Sequence, residues 1–285
     1  MRVLITGAGG MLGQDLARAA HRAGLEYAAL ARSELDSTAA EAVRAALVRA
    51  RPALVVNCAA WTDVDGAESA PEAALQINAR GAENVAAAAA SVGAWTVHIS
   101  SDYVFDGAKR EPYVESDPTA PLSAYGRSKL EGEQAVARAA RDAHTVVRSS
   151  WLFGAGGRCF PATILRLAAK RDQLEVVDDQ VGSPTVTGHL AAALIGLASA
   201  GTPPLGIVHL AGGGSCSWFE FATEIVRAAG LSAEVRPCST ADMPRPAPRP
   251  AYSVLGSERR ELARALPDWR DGLEQYLAET AVPAR

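Results

Sequence analysis

The chain opens on a short apolar run, Arg2-Val-Leu-Ile-Thr6, that passes without a break into Gly7-Ala-Gly-Gly-Met-Leu-Gly13. The run has the β-branched texture of a buried strand. Behind the glycines, Met11 to Ala23 carries Leu12, Leu16 and Ala19/Ala20 at helical spacing. Strand, glycine turn and helix in immediate succession begin a βαβ unit, and that start excludes most other architectures. Gly7, Gly10 and Gly13 let the backbone approach a ligand, while the helix N-terminus offers free N–H groups and a partial positive charge. A pyrophosphate fits those requirements; a tight turn without a ligand is the plainer alternative.

The units that follow repeat the pattern. Tyr27–Ala31 reads as a second strand, and it ends on Arg32-Ser33 where an Asp or Glu would grip the ribose of NAD. An arginine there suits a 2′-phosphate, so NADPH is expected over NADH, although a solvated arginine at a strand end would look the same. Leu35-Asp-Ser-Thr38 reads as an N-cap for a helix through Ala50. Ala53–Asn57 is a third strand, and Cys58-Ala-Ala-Trp-Thr-Asp-Val-Asp65 leaves its carboxyl end, where open α/β sheets gather ligands. A helix over Pro71–Ile77, an interruption at Asn78 and an alanine-rich helix to Val92 come next. Trp95–Ser100 is the fourth strand and runs into Ser100-Ser-Asp-Tyr-Val-Phe-Asp-Gly107, whose hydroxyls either meet a substrate carbonyl or cap a turn. Tyr125-Gly-Arg-Ser-Lys129 opens a helix to Ala140, with phenol and ammonium leaving one face a turn apart. A neighbouring cation favours phenolate, so this spacing predicts a lowered pKa and a proton-transfer role for Tyr125. With Thr145–Ser149 as a fifth strand, the fold class is α/β, a Rossmann-type doubly wound parallel sheet.

After Trp151-Leu-Phe-Gly154 the texture changes. A strand at Leu174–Val177, a polar loop at Asp178–Thr185, a helix at His189–Ala198, a strand at Ile207–Leu210 and a helix at Trp218–Ala229 are expected. Pro244-Arg-Pro-Ala-Pro-Arg-Pro250 is too rich in proline for helix or central strand, which leaves a linker or a lid. Residues 1–150 are therefore expected to form the dinucleotide-binding domain, and 151–285 a smaller substrate-binding region with some segments returning to the first sheet. The 28 basic and 32 acidic residues form no long block of either sign, which argues against nucleic acid as a partner. The N-terminus lacks the apolar length of a signal peptide and no segment is long enough to span a bilayer, so a cytoplasmic protein with no membrane partner is expected. Cys58, Cys159, Cys216 and Cys238 have neither zinc-site nor redox-pair spacing and read as free thiols.

Seven stretches in order carry a resemblance over nearly the whole length. They are Gly7-x-x-Gly10-x-x-Gly13, Val56–Asp65, Ser100–Gly107, Tyr125–Glu133, Arg148–Gly154, Asp179–Thr185 and Arg249–Leu255. The chain resembles the extended short-chain dehydrogenase/reductase family, and within it the reductases of nucleotide-linked 4-keto-6-deoxy sugars. The resemblance implies NADPH-dependent reduction, NADH being usable, of the C4 keto group of dTDP-4-dehydro-L-rhamnose to dTDP-L-rhamnose. It implies three catalytic residues: Ser101 bonding the keto oxygen, Tyr125 as general acid, and Lys129 gripping the nicotinamide ribose and lowering the phenol's pKa. Gly7, Gly10, Met11, Leu12, Gly13, Arg32, Asp36, Ala59, Ala60 and Ser100 would join Tyr125 and Lys129 around the cofactor. Ser101, Asp102, Val104, Trp151 and Arg249 would meet the nucleotide-sugar substrate.

Some family members form a magnesium-bridged dimer through acidic side chains. Asp15 stands at one such place, but Gly188-His189 follows Pro184-Thr185 where a second acid would be sought. No structural metal is therefore expected, and the chain is read as a monomer or homodimer. A dehydratase would need an acidic pair behind the hydroxyl residue, whereas Asp102 is followed by Tyr103. An epimerase, or a reductase of another nucleotide 4-keto-6-deoxy sugar, stays open. A non-catalytic NADP-binding regulatory subunit is a further alternative, disfavoured by the joint presence of Ser101, Tyr125 and Lys129.

Overall fold

The computed structural model describes residues 1–199, 201, 203–259 and 266–280. Six strands form one parallel sheet: β1 (Arg2–Thr6), β2 (Glu26–Leu30), β3 (Leu54–Asn57), β4 (Trp95–Ser101), β5 (His144–Ser149) and β6 (Gly206–His209), in the order β6-β5-β4-β3-β1-β2. The chain steps from β1 outward to β2, then crosses back to β3 on the other side of β1. That reversal opens a crevice at the carboxyl ends of β1 and β3, where ligands of such sheets bind. Alternation along the strands divides the core. Val3, Ile5, Leu54 and Val56 pack toward α1 (Met11–Arg22) and α6 (Thr187–Ser199), while Leu4 and Val55 pack toward α2 (Ala40–Ala50) and α3 (Gly81–Ser91). Burial on both faces is why these strands read as unbroken apolar runs.

Two boundaries differ from the sequence expectation for local reasons. The second helix begins at Ala40, because Asp36 turns its carboxylate onto the N–H and hydroxyl of Thr38, at 2.9 and 2.8 Å, and so closes a turn of its own. Ala39 then stands at the N-cap without a side-chain bond. At Asn78 the helix does not break. Pro71–Leu75 continues through a π-helical turn, Gln76–Arg80, directly into α3. The wider turn brings the Asn78 side chain inward, where its oxygen accepts from Trp61 N and its nitrogen donates to Trp61 O and Ser128 Oγ.

Beyond residue 150 the chain builds a second core around Phe153, Phe221, Leu273 and Trp269. It is framed by α5 (Phe160–Ala168), α7 (Trp218–Ala228) and α8 (Trp269–Thr280) and by a parallel strand pair, Gln173–Val177 with Glu234–Cys238. The strand at Glu234 and the helix at Trp269 went unread in sequence: Glu-Val-Arg-Pro-Cys carries one proline and little alternation. The loop expected at Asp178–Thr185 is partly ordered as short strands, Val181–Gly182 against Cys216–Ser217 and Thr185–Val186 against Leu152–Phe153. Pro244–Pro250 has neither helix nor strand. It is pinned to Asp65, whose carboxylate accepts from both Arg249 Nη1 and Nη2 at 3.0 Å and from Ala247 N at 3.2 Å.

Candidate active site

Helix α4 (Ala124–Ala139) starts at Ser123, whose hydroxyl caps Gly126 N. Its inner face carries Gly126 and Gly132 because there is no room for anything larger. A Cβ on Gly126 would lie 2.2 Å from Tyr103 O, and one on Gly132 2.2 Å from Asn78 O. This close approach draws Tyr125 and Lys129 onto the end of β4, beside Ser101. Behind them Glu133 takes a two-pronged bond from the Arg148 guanidinium, at 2.9 and 2.7 Å, and accepts from Ser100 Oγ at 2.6 Å. Both partners are buried, so the pair fixes α4 against β4 and β5 with every charge answered.

The pair Tyr125 and Lys129 does not behave electrostatically as its spacing suggests. Burial pushes the Tyr125 phenol up to about 12, with the Ser101 hydroxyl opposing the shift. The Lys129 ammonium donates to Ile99 O at 2.6 Å, and burial brings its own pKa down to about 8. Desolvation, reinforced by the nearby Asp102 carboxylate, outweighs the Ser101 hydroxyl, and Tyr125 stays a phenol at neutral pH. Asp102 follows Ser101 and is fully buried. It accepts from Ser101 Oγ on one oxygen at 3.0 Å and from Ser253 Oγ on the other at 2.6 Å.

Ser100, Ser101, Asp102, Tyr125, Lys129, Met11, Leu12 and Trp151 line one cavity of about 550 Å³ that reaches the glycine turn. A neighbouring cavity of about 250 Å³ shares Gly7, Gly10 and Ala60 with it and adds Arg32, Asp36 and Ala59. The residues fit a dinucleotide. A Cβ on Gly7 would meet Ala59 N at 2.6 Å, and one on Gly13 would meet Gly7 O at 2.5 Å, so only glycine permits this turn. Gly10 caps α1 without a side chain, which leaves the first-turn N–H groups unclaimed by any cap. Asp15 is buried and accepts from Thr187 Oγ1 and from Arg18. Burial pushes the Cys58 thiol up to about 12, which removes it as a nucleophile.

Of the residues expected at the substrate, Val104 and Arg249 are engaged elsewhere, while Trp151 faces the cavity. Val104 is fully buried against Phe105 and Tyr113, and its carbonyl is taken by Ala120 N, so it offers a ligand no side-chain surface. Arg249 is committed to Asp65. Trp151 lines the cavity but stacks flat on Trp218, ring centroids 3.4 Å apart and planes within 2°. Trp218, which lines the cavity, Ser253, which bonds Asp102, and Asn78, which braces α4 through Ser128, were not singled out by sequence. Each lies remote in sequence from the group it touches, and only the apolar texture around Trp218 gave any signal.

A parallel sheet with its ligand crevice at a switch point, and a hydroxyl, tyrosine and lysine gathered beside a glycine turn, define an oxidoreductase of the extended short-chain dehydrogenase/reductase class. Residues 1–282 match the family described as RmlD substrate binding domain. The dTDP-4-dehydrorhamnose reductase of Mycolicibacterium smegmatis is 47% identical over 97% of this chain and 85% of its own length. The enzyme of that name from Streptomyces griseus is 46% identical over 96% of this chain and 92% of its own length. The crystal structure of dTDP-4-dehydrorhamnose reductase from Bacillus anthracis in complex with NADP superposes with a TM-score of 0.93 at 39% identity, covering 98% of this chain and 99% of that one. The chain belongs to the dTDP-4-dehydrorhamnose reductase family.

Proposed function

We propose that the protein reduces the C4 keto group of dTDP-4-dehydro-L-rhamnose to dTDP-L-rhamnose with NADPH, Tyr125 acting as general acid. The observation that carries this reading is the convergence of Ser101, Tyr125 and Lys129 on a cavity continuous with the glycine turn. Gly7, Gly10 and the N-terminus of α1 would hold the pyrophosphate, Arg32 the 2′-phosphate and Lys129 the nicotinamide ribose. When bound, NADPH supplies the hydride. Tyr125, kept protonated by burial, donates its proton to the C4 oxygen, and Ser101 donates a hydrogen bond to the same atom as its charge develops. The buried Glu133–Arg148 pair keeps α4 in register while this happens.

The test supplies dTDP-4-dehydro-L-rhamnose with NADPH or NADH and follows loss of reduced-nicotinamide absorbance, with the product identified by NMR. Stoichiometric formation of dTDP-L-rhamnose is expected, faster with NADPH. Tyr125→Phe is expected to lower kcat by about 10²–10⁴-fold, the usual contribution of a positioned acid, with little change in NADPH affinity. Undiminished turnover in that variant would sink the assignment of Tyr125.

A further inference from the structure

Ser101 has one hydroxyl hydrogen, and Asp102, the Tyr125 oxygen and a keto oxygen in the cavity all compete for it. Its oxygen already accepts from Tyr103 N at 3.2 Å. Asp102 Oδ1 lies 3.0 Å away, and Ser253 Oγ donates to Oδ2 at 2.6 Å. An ionised carboxylate only accepts, so beside ionised Asp102 the Ser101 hydrogen turns to Oδ1 and away from the cavity. A neutral acid reverses this. As long as Ser253 keeps donating to Oδ2, the acid proton sits on Oδ1 and donates to Ser101 Oγ, which frees the Ser101 hydrogen to point into the cavity.

We propose that Asp102 is a positioning residue that sets the direction of the Ser101 hydroxyl, that Ser253 dictates which Asp102 oxygen carries the proton, and that only the neutral acid leaves Ser101 free to donate to the keto oxygen. The inference rests on the reading of Ser101 as a donor to that oxygen. The surroundings support it. Burial outweighs the bonds from Ser253 and Ser101 and raises Asp102 to about 7, so both forms are populated near neutrality. The groups facing Asp102 are Tyr103 on its own turn, Tyr125 on α4 and Ser253 from the C-terminal segment; Arg249 lies beyond Tyr103, and Lys129 lies one turn along α4.

The experiment measures kcat against pH for the wild type, Asp102→Asn and Ser253→Ala, with NADPH binding by each as a check on folding. It also follows the infrared carbonyl band of the protonated carboxyl group. In the wild type kcat is expected to break near neutrality and then fall by about tenfold per pH unit, as for one required proton. Asparagine keeps a donor toward Ser101 at every pH, so the break near neutrality should vanish, leaving only the later fall set by Lys129. Ser253→Ala removes a bond that favours the carboxylate, so its break should move to higher pH. The infrared band should titrate with the wild-type break and be missing in Asp102→Asn. A wild-type break retained in Asp102→Asn, or an Asp102 ionised across the active range, would overturn the proposal. Full turnover in Ser101→Ala and Tyr125→Phe would instead overturn the catalytic reading beneath it.

Discussion

Burial holds Tyr125 as a phenol, the form that the proposed proton transfer requires, and Lys129 is anchored by a backbone carbonyl. Both facts set expectations. Lys129→Met leaves Ile99 O buried and unpaired, at about 1–3 kcal/mol, and removes the group proposed for the cofactor ribose. Turnover and NADPH affinity should fall together, read from kcat and a fluorescence titration; loss of kcat alone would confine Lys129 to the chemistry. Arg32→Ala should weaken NADPH by roughly tenfold or more, the worth of one charged hydrogen bond, and leave NADH unmoved. Equal effects on both cofactors would return Arg32 to the status of a solvated strand-end arginine. The four-residue spacing of tyrosine and lysine was plain in the sequence. The sign of the phenol's pKa was not, because burial depends on elements far from position 125.

At the scale of elements, α4 is placed by two absences of side chain and one buried ion pair. Gly132→Ala would drive a methyl group to within 2.2 Å of Asn78 O. The π turn or α4 must yield, at about 1–3 kcal/mol, and a lowered Tm should accompany a lowered kcat. An unchanged Tm would mean that the contact relaxes freely. Glu133→Ala strands the Arg148 charge in the interior, for a loss of about 3–5 kcal/mol measurable by urea denaturation. Helices and strands that bury apolar faces were legible from their periodicity. The π turn was not, since the three bonds that Asn78 makes within it run to Trp61 and Ser128, remote in sequence.

At the scale of the whole molecule, the proline-rich segment at 244–250 is fastened to Asp65, far away in sequence. Burial raises the Asp65 pKa, but Arg249 and the Ala247 N–H outweigh it and hold the carboxyl below its usual range. A depressed folded pKa means a contribution fully present above the ordinary carboxylate pKa of about 3.9 and lost as pH falls through the folded value. Asp65→Asn should therefore speed proteolytic cleavage at 244–250 at neutral pH, while the wild-type segment resists until strongly acidic conditions; equal cleavage rates at neutral pH would show that the latch does not restrain it. By itself the sequence determined the parallel sheet, the glycine turn and the tyrosine–lysine helix, because each is written in a local period or spacing. Only the tertiary structure decided which later segment rejoins the sheet as β6, that Arg249 faces Asp65, that Val104 is core and that Ser253 reaches Asp102. Those contacts join segments up to 184 residues apart, between which no local pattern runs.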